Sequence, residues 1–209
     1  ANQTAAGVAD IVSHTFEQYF VREASMLSDG FCESMLKTVM HFGPIAIKEP
    51  NNFEARGEIF AASSFGCCGL LSLGRSPSPW PCHGIEHEVS AWYDITHGVG
   101  LAIITPHWMQ WCLDTDPALV APKFAQYGVN VFGLNPADGV EVNAKKAIEK
   151  TAAFFRSIGI TQTLKDFGID DPHFEAMAEH VTTAWVGDYK YAFVPMDKEA
   201  VLAVLRASL

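Results

Sequence analysis

Three of the chain's eight histidines, His83, His87 and His97, crowd into one stretch, His83-Gly84-Ile85-Glu86-His87-Glu88-Val89-Ser90-Ala91-Trp92-Tyr93-Asp94-Ile95-Thr96-His97-Gly98. Neutral imidazole is the commonest side-chain ligand of divalent transition metals. His83 and His87 stand four positions apart, so on a helix their rings leave the same face. His97 would lie roughly 21 Å from His83 along an unbroken helix, whereas two imidazoles on one ion must bring their nitrogens close together. Both can reach one ion only if the helix breaks, and Asp94-Ile95-Thr96 offers the break, with Asp94 or Thr96 available to cap a new helix. Asp10 and His14 form a second pair at the same spacing. Alone it reads as an exposed helical ion pair. Opposite the histidine cluster it would complete a bundle-type site, because a carboxylate lowers the cost of burying a divalent cation.

These residues need helices to carry them, and helical periodicity dominates. Val8, Ile11, Val12, Phe16, Tyr19 and Phe20 recur at three- and four-residue steps. The pattern predicts helices over 4–21, 30–47, 53–73, 83–92, 97–112, 117–132, 138–158, 171–186 and 197–207. Asn135-Pro136 and Asp170-Asp171-Pro172 read as capped helix entries. Arg75-Ser76-Pro77-Ser78-Pro79-Trp80-Pro81 cannot continue a helix, because its three prolines remove donors and push their predecessors to extended backbone. Nothing alternates as a strand does. The expectation is one all-α, bundle-like domain over 1–209. No GxGxxG or GxxxxGK[ST] loop is present, so this stretch carries no nucleotide-binding half of its own.

The 209 residues are 49% hydrophobic and 18% charged, enough apolar material for a sizeable core, which excludes a disordered chain. A net charge of −10 with no basic run argues against nucleic acid as a partner. The uncharged stretch 95–113 contains His97, Pro106, His107 and Gln110 and reads as buried protein rather than a membrane span. Five cysteines without a CxxC pair point to a reducing, cytoplasmic compartment. The start, Ala1-Asn2-Gln3-Thr4, lacks a basic region, an apolar region and a Met. We therefore expect no secretory leader and a piece of a longer chain.

The segment from His83 to Gly100, together with Gly7-Val8-Ala9-Asp10-Ile11-Val12-Ser13-His14, closely resembles the iron-containing (group III) alcohol dehydrogenases, in particular their butanol-dehydrogenase-like branch. The likeness runs through the closing Lys198-Glu199-Ala200-Val201-Leu202. It corresponds to that family's C-terminal helical domain, the second half of the dehydroquinate-synthase-like fold, without the N-terminal nucleotide-binding domain. Carried over residue by residue, the resemblance makes Asp10, His14, His83 and His97 the four ligands of one divalent metal. It places His87 beside the nicotinamide and substrate, as catalytic and cofactor-contacting residue. The metal it implies is Fe2+ or Zn2+, acting as a Lewis acid on an alcohol or aldehyde oxygen while hydride passes to or from NAD or NADP. The dinucleotide would be held mainly by the missing domain. The fragment would be inactive alone, and the full-length enzyme a homo-oligomer that engages neither nucleic acid nor membrane.

A rival reading starts from the same letters. His83-Gly84-Ile85-Glu86-His87 also spells HxxEH, the inverzincin peptidase motif, in which His83 and His87 hold zinc and Glu86 activates water. That reading leaves His97, Asp10 and His14 without a task. A non-catalytic helical metal-binding module is the other alternative. On the dehydrogenase reading Glu86 is a neighbour without metal contact. Plainer readings take the rest. His41, His107, His173 and His180 are core-edge or surface histidines, Cys67-Cys68 is helix packing, and Trp80, Trp92, Trp108 and Trp111 belong mostly to the core, with Trp92 near enough to line a pocket.

Overall fold

The apolar stripe of the first helix, Val8, Ile11, Val12, Phe16 and Tyr19, is buried along its length and seeds the core. The computed structural model describes residues 1–183 and 188–209. Among them the chain forms nine α-helices and no strand: α1 (Asn2–Tyr19), α2 (Met26–Lys48), α3 (Phe53–Gly66), α4 (Pro81–Tyr93), α5 (His97–Thr115), α6 (Pro117–Phe132), α7 (Val140–Ser157), α8 (Phe174–Thr183) and α9 (Lys198–Ala207). Helix α5 is apolar on nearly every side and forms the centre of the bundle, packed against α1, α4, α6, α7 and α9. The uncharged stretch at 95–113 is therefore core. No described helix is long and apolar enough to cross a membrane.

The differences from the sequence expectation lie at helix ends. Helix α3 stops at Gly66 rather than 73, and a 3₁₀ turn, Leu70–Ser72, follows left-handed Gly69. Cys67 and Cys68 are therefore exposed after the helix and are not packed within it. Pro81 opens α4 instead of closing the loop, since the first helical position needs no N–H. Asn135 caps only the 3₁₀ turn Pro136–Asp138. The Asp170 side chain makes no cap, and the 3₁₀ turn Asp171–His173 precedes α8. The remainder of the helix expected over 171–186 lies outside the described residues.

A buried polar network fastens α1, α2, α6 and the loop before α4. The fully buried Arg75 side chain reaches Asp29 at 3.0 Å and also donates to the Gln18 backbone carbonyl. Lys123 and Gln126 close on the other Asp29 oxygen. Gln18 in turn donates to the carbonyls of His14 and Gly66 and accepts from Ser72, which ties the turn after α3 to α1 beside His14. Burial alone would raise the Asp29 pKa, but Lys123, Gln126 and Arg75 outweigh it and hold the carboxyl below its usual range. Removing Arg75 leaves the Asp29 carboxylate with Lys123 as its remaining cationic partner and the Gln18 carbonyl without its guanidinium donor. Arg75→Met is expected to lower unfolding free energy by about 3 kcal/mol in denaturant titration. Asp29 stabilises the fold above its unfolded pKa, and that contribution fades as pH falls through its depressed folded value. Wild-type stability in Arg75→Met would refute the assignment.

Candidate metal centre

Asp10 and His14 leave α1 one turn apart, with His14 Nδ1 at 3.1 Å from Asp10 Oδ1. The same nitrogen lies 3.0 Å from the Asp10 carbonyl oxygen, which can only accept, so Nδ1 carries the proton and Nε2 keeps the ring's lone pair. Helix α4 supplies His83, whose Nε2 lies 3.8 Å from Asp10 Oδ1. Helix α5 supplies His97 as its first residue, with Nε2 at 3.5 Å from the same oxygen. The predicted helix break makes this possible. Asp94 ends α4 in the left-handed region at φ 52°, and Thr96 takes the cap position of α5, although neither side chain makes the capping bond expected of it. Gly98 then lets α5 pass directly over α1, since a Cβ there would run into the Ala6 carbonyl.

Three imidazoles from three helices thus surround one carboxylate oxygen. Asp10, His14 and His83 bring ligand atoms within 4.8 Å of one another, and so do Glu86, His87 and His97. Asp10 Oδ1 and His83 Nε2 are buried without a well-formed hydrogen bond, a costly state for polar atoms unless a cation satisfies them. Burial would raise the Asp10 pKa, yet the His14, His83 and His97 rings hold it well below the usual carboxylate range. Three imidazoles and a carboxylate are a donor set that suits divalent iron or zinc. The residues fit a divalent metal.

Two carboxylates have roles that the sequence reading did not assign. Glu17 in α1, buried, accepts from His83 Nδ1 and also from the backbone N–H of Cys82 and of His83 at the start of α4. Glu86 in α4 accepts from His97 Nδ1 and from the Ser90 hydroxyl. Burial works to lower the His83 pKa, but Glu17 and Asp10 raise it to about 9. A signal for Glu17 lay in plain view: an acid between Phe16 and Tyr19 on the buried stretch of α1, three positions past His14. Glu86 is bonded to the far nitrogen of His97, so its carboxylate is not available as the water-activating base of an inverzincin.

His87 is exposed at the edge of the cluster, its ring 5.0 Å from that of His97 and 6.1 Å from that of His83. Its pKa is pushed down by partial burial and by the neighbouring His97. Trp80, rather than Trp92, adjoins the cluster. Its indole stands edge-on to His14 and His83 at 5.3 and 5.1 Å, from a left-handed backbone at φ 56°. It walls a cavity of about 330 Å³ together with His14, Gly66, Cys67 and Gly69. Trp92 stacks on His173, and His180 pairs with Glu88, which places both of those histidines at the surface as expected.

Residues 4–209 match the Fe-containing alcohol dehydrogenase family, C-terminal, and the chain belongs to that family. It is 44% identical to NADH-dependent butanol dehydrogenase A of Clostridium acetobutylicum over 99% of this chain and 52% of that protein. To the NADPH-dependent aldehyde reductase YqhD of Escherichia coli it is 33% identical, over 84% of this chain and 44% of that protein. The fold superposes on the crystal structure of NADH-dependent butanol dehydrogenase A from Thermotoga maritima with a TM-score of 0.88 at 29% identity, covering 99% of this chain and 52% of that one. The chain thus spans about half the length of the relatives it matches. The peptidase reading falls with this membership.

Proposed function

We propose that residues 1–209 form the metal- and substrate-binding half of a nicotinamide-dependent alcohol dehydrogenase or aldehyde reductase. In this reading Asp10, His14, His83 and His97 hold one divalent ion, ferrous iron or zinc. The observation that carries it is the approach of three imidazole rings, from α1, α4 and α5, to Asp10 Oδ1. A divalent ion held there supplies Lewis-acid polarisation of an alcohol or aldehyde oxygen. The chain's own residues do the rest. Asp10 offsets positive charge, and Glu17 and Glu86 hold the rings of His83 and His97. His87, with its lowered proton affinity, stands where it can contact nicotinamide and substrate and pass a proton to or from the reacting oxygen. The Trp80 wall offers an apolar surface to a short alkyl tail, because the polar ends of Gln18 and Ser72 beside it are already bonded to each other and to backbone.

NAD or NADP is held mainly by an N-terminal half outside this chain. Both the NADH- and the NADPH-dependent relatives support a nicotinamide cofactor of one kind or the other. We place the full-length enzyme in the cytoplasm as a homo-oligomer, a compartment in keeping with the free state of all five cysteines. The test is metal analysis of full-length protein purified without chelator, paired with NADH- and NADPH-dependent reduction of butanal. One ion per chain together with turnover is expected. A metal-loaded protein that reduces no aldehyde with either cofactor would instead support a non-catalytic metal-binding module.

A further inference from the structure

We propose that Glu86 and Glu17 are positioning residues of the metal centre. Each buried carboxylate accepts a hydrogen bond from Nδ1–H of one imidazole and so aims that ring's Nε2 at the Asp10 carboxylate. This rests on the ligand assignment above and extends it by one shell of residues.

Glu86 and Glu17 are 0% and 1% exposed. Burying an ionised carboxylate costs several kcal/mol unless specific partners compensate, and for both residues the compensating partners include an imidazole Nδ1. Because a carboxylate only accepts, the proton must sit on Nδ1 of His83 and of His97. In the neutral, metal-binding form of each ring the lone pair is then on Nε2, the atom that lies 3.8 or 3.5 Å from Asp10 Oδ1. The hydrogen bonds also lock ring rotation, which would otherwise swing Nε2 of the half-exposed His97 out of reach.

The two carboxylates are not equivalent. Glu17 also accepts two backbone N–H groups at the start of α4, where Trp80 occupies the cap position without a side-chain cap. It therefore has a structural duty at a helix N-terminus. Glu86 serves no helix end. It accepts from Ser90 and His97, and the backbone opposite it is bare: a Cβ on Gly100 would stand 2.6 Å from Glu86 Oε1. The glycine three positions after His97 makes room for the group that orients His97. Glu86 is thus the cleaner test.

Cobalt(II) is the probe, titrated into chelator-stripped full-length protein and read by affinity and by its visible absorption. Glu86→Gln is expected to weaken Co2+ binding by ~10–100-fold, the usual cost of losing a group that orients a ligand, and to shift the absorption band. Gly100→Ala keeps the charge but presses on the carboxylate, and should shift the band in a protein whose circular dichroism is unchanged. A purely structural Glu86 would lower the melting temperature while leaving affinity and band of the folded protein unaltered, and that result in both variants overturns the proposal. If Glu86→Gln does not fold, Gly100→Ala alone decides by the same criterion. His97→Ala, run in parallel, separates the two levels. Unchanged Co2+ affinity there sinks the ligand assignment itself, whereas loss there with no effect in the Glu86 and Gly100 variants sinks only this inference.

Discussion

His97→Ala in the full-length protein is expected to lose its metal while His87→Ala keeps it. The two histidines lie side by side, but His97 Nε2 faces the Asp10 carboxylate, whereas His87 is exposed at the rim of the cluster. With His97 one of the four proposed ligands, its removal should weaken binding by more than ~100-fold, since even a group that only orients a ligand is worth about 10–100-fold. His87→Ala should retain one ion per chain and lose turnover by ~100-fold or more, the typical contribution of a positioned proton donor or acceptor. Metal stoichiometry at matched protein concentration, with circular dichroism as the folding control, reads both. Metal loss from His87→Ala with retention in His97→Ala would overturn the ligand set.

The second large effect concerns what this half can do alone. Hydride transfer requires the nicotinamide ring to be held against the substrate carbon, and such positioning is worth ~7 kcal/mol or more of the barrier. The 209 residues contain no phosphate-cradling glycine loop. The isolated chain, loaded with Fe2+ or Zn2+ and given NADH or NADPH and butanal, is therefore expected to turn over at least about 10⁵-fold more slowly than the full-length enzyme. Robust aldehyde reduction by the isolated chain would show that the dinucleotide site lies among these residues, contrary to the proposed division of labour.

The carboxylates bonded to His83 and His97 change how the HxxEH letters should be understood. On a single helix, His83, Glu86 and His87 are a plausible zinc-and-base set. In the folded chain α5 returns across α4 and offers His97 to Glu86, so the glutamate is consumed as a partner for imidazole. Only packing between helices decides which atom a buried carboxylate meets.

Some of this protein is determined within single helices and is legible without tertiary information. The all-α character follows from the three- and four-residue recurrence of apolar residues in α1, and from the absence of alternating segments. The paired offers of Asp10 with His14, and of His83 with its neighbours, follow from the helical repeat alone, and the break before His97 follows from the distance a straight helix would impose. Helix ends were less legible. Gly66 and Pro81 terminate or open helices through local backbone geometry and packing against neighbouring elements, to which apolar periodicity is blind. The convergence of α1, α4 and α5 on one carboxylate oxygen, the crossing that Gly98 permits, and the duties of Glu17, Glu86 and Trp80 were decided by tertiary structure. Sequence spacing specifies direction along one helix, but contacts between residues such as Glu17 and His83, 66 positions apart, exist only once the helices have packed.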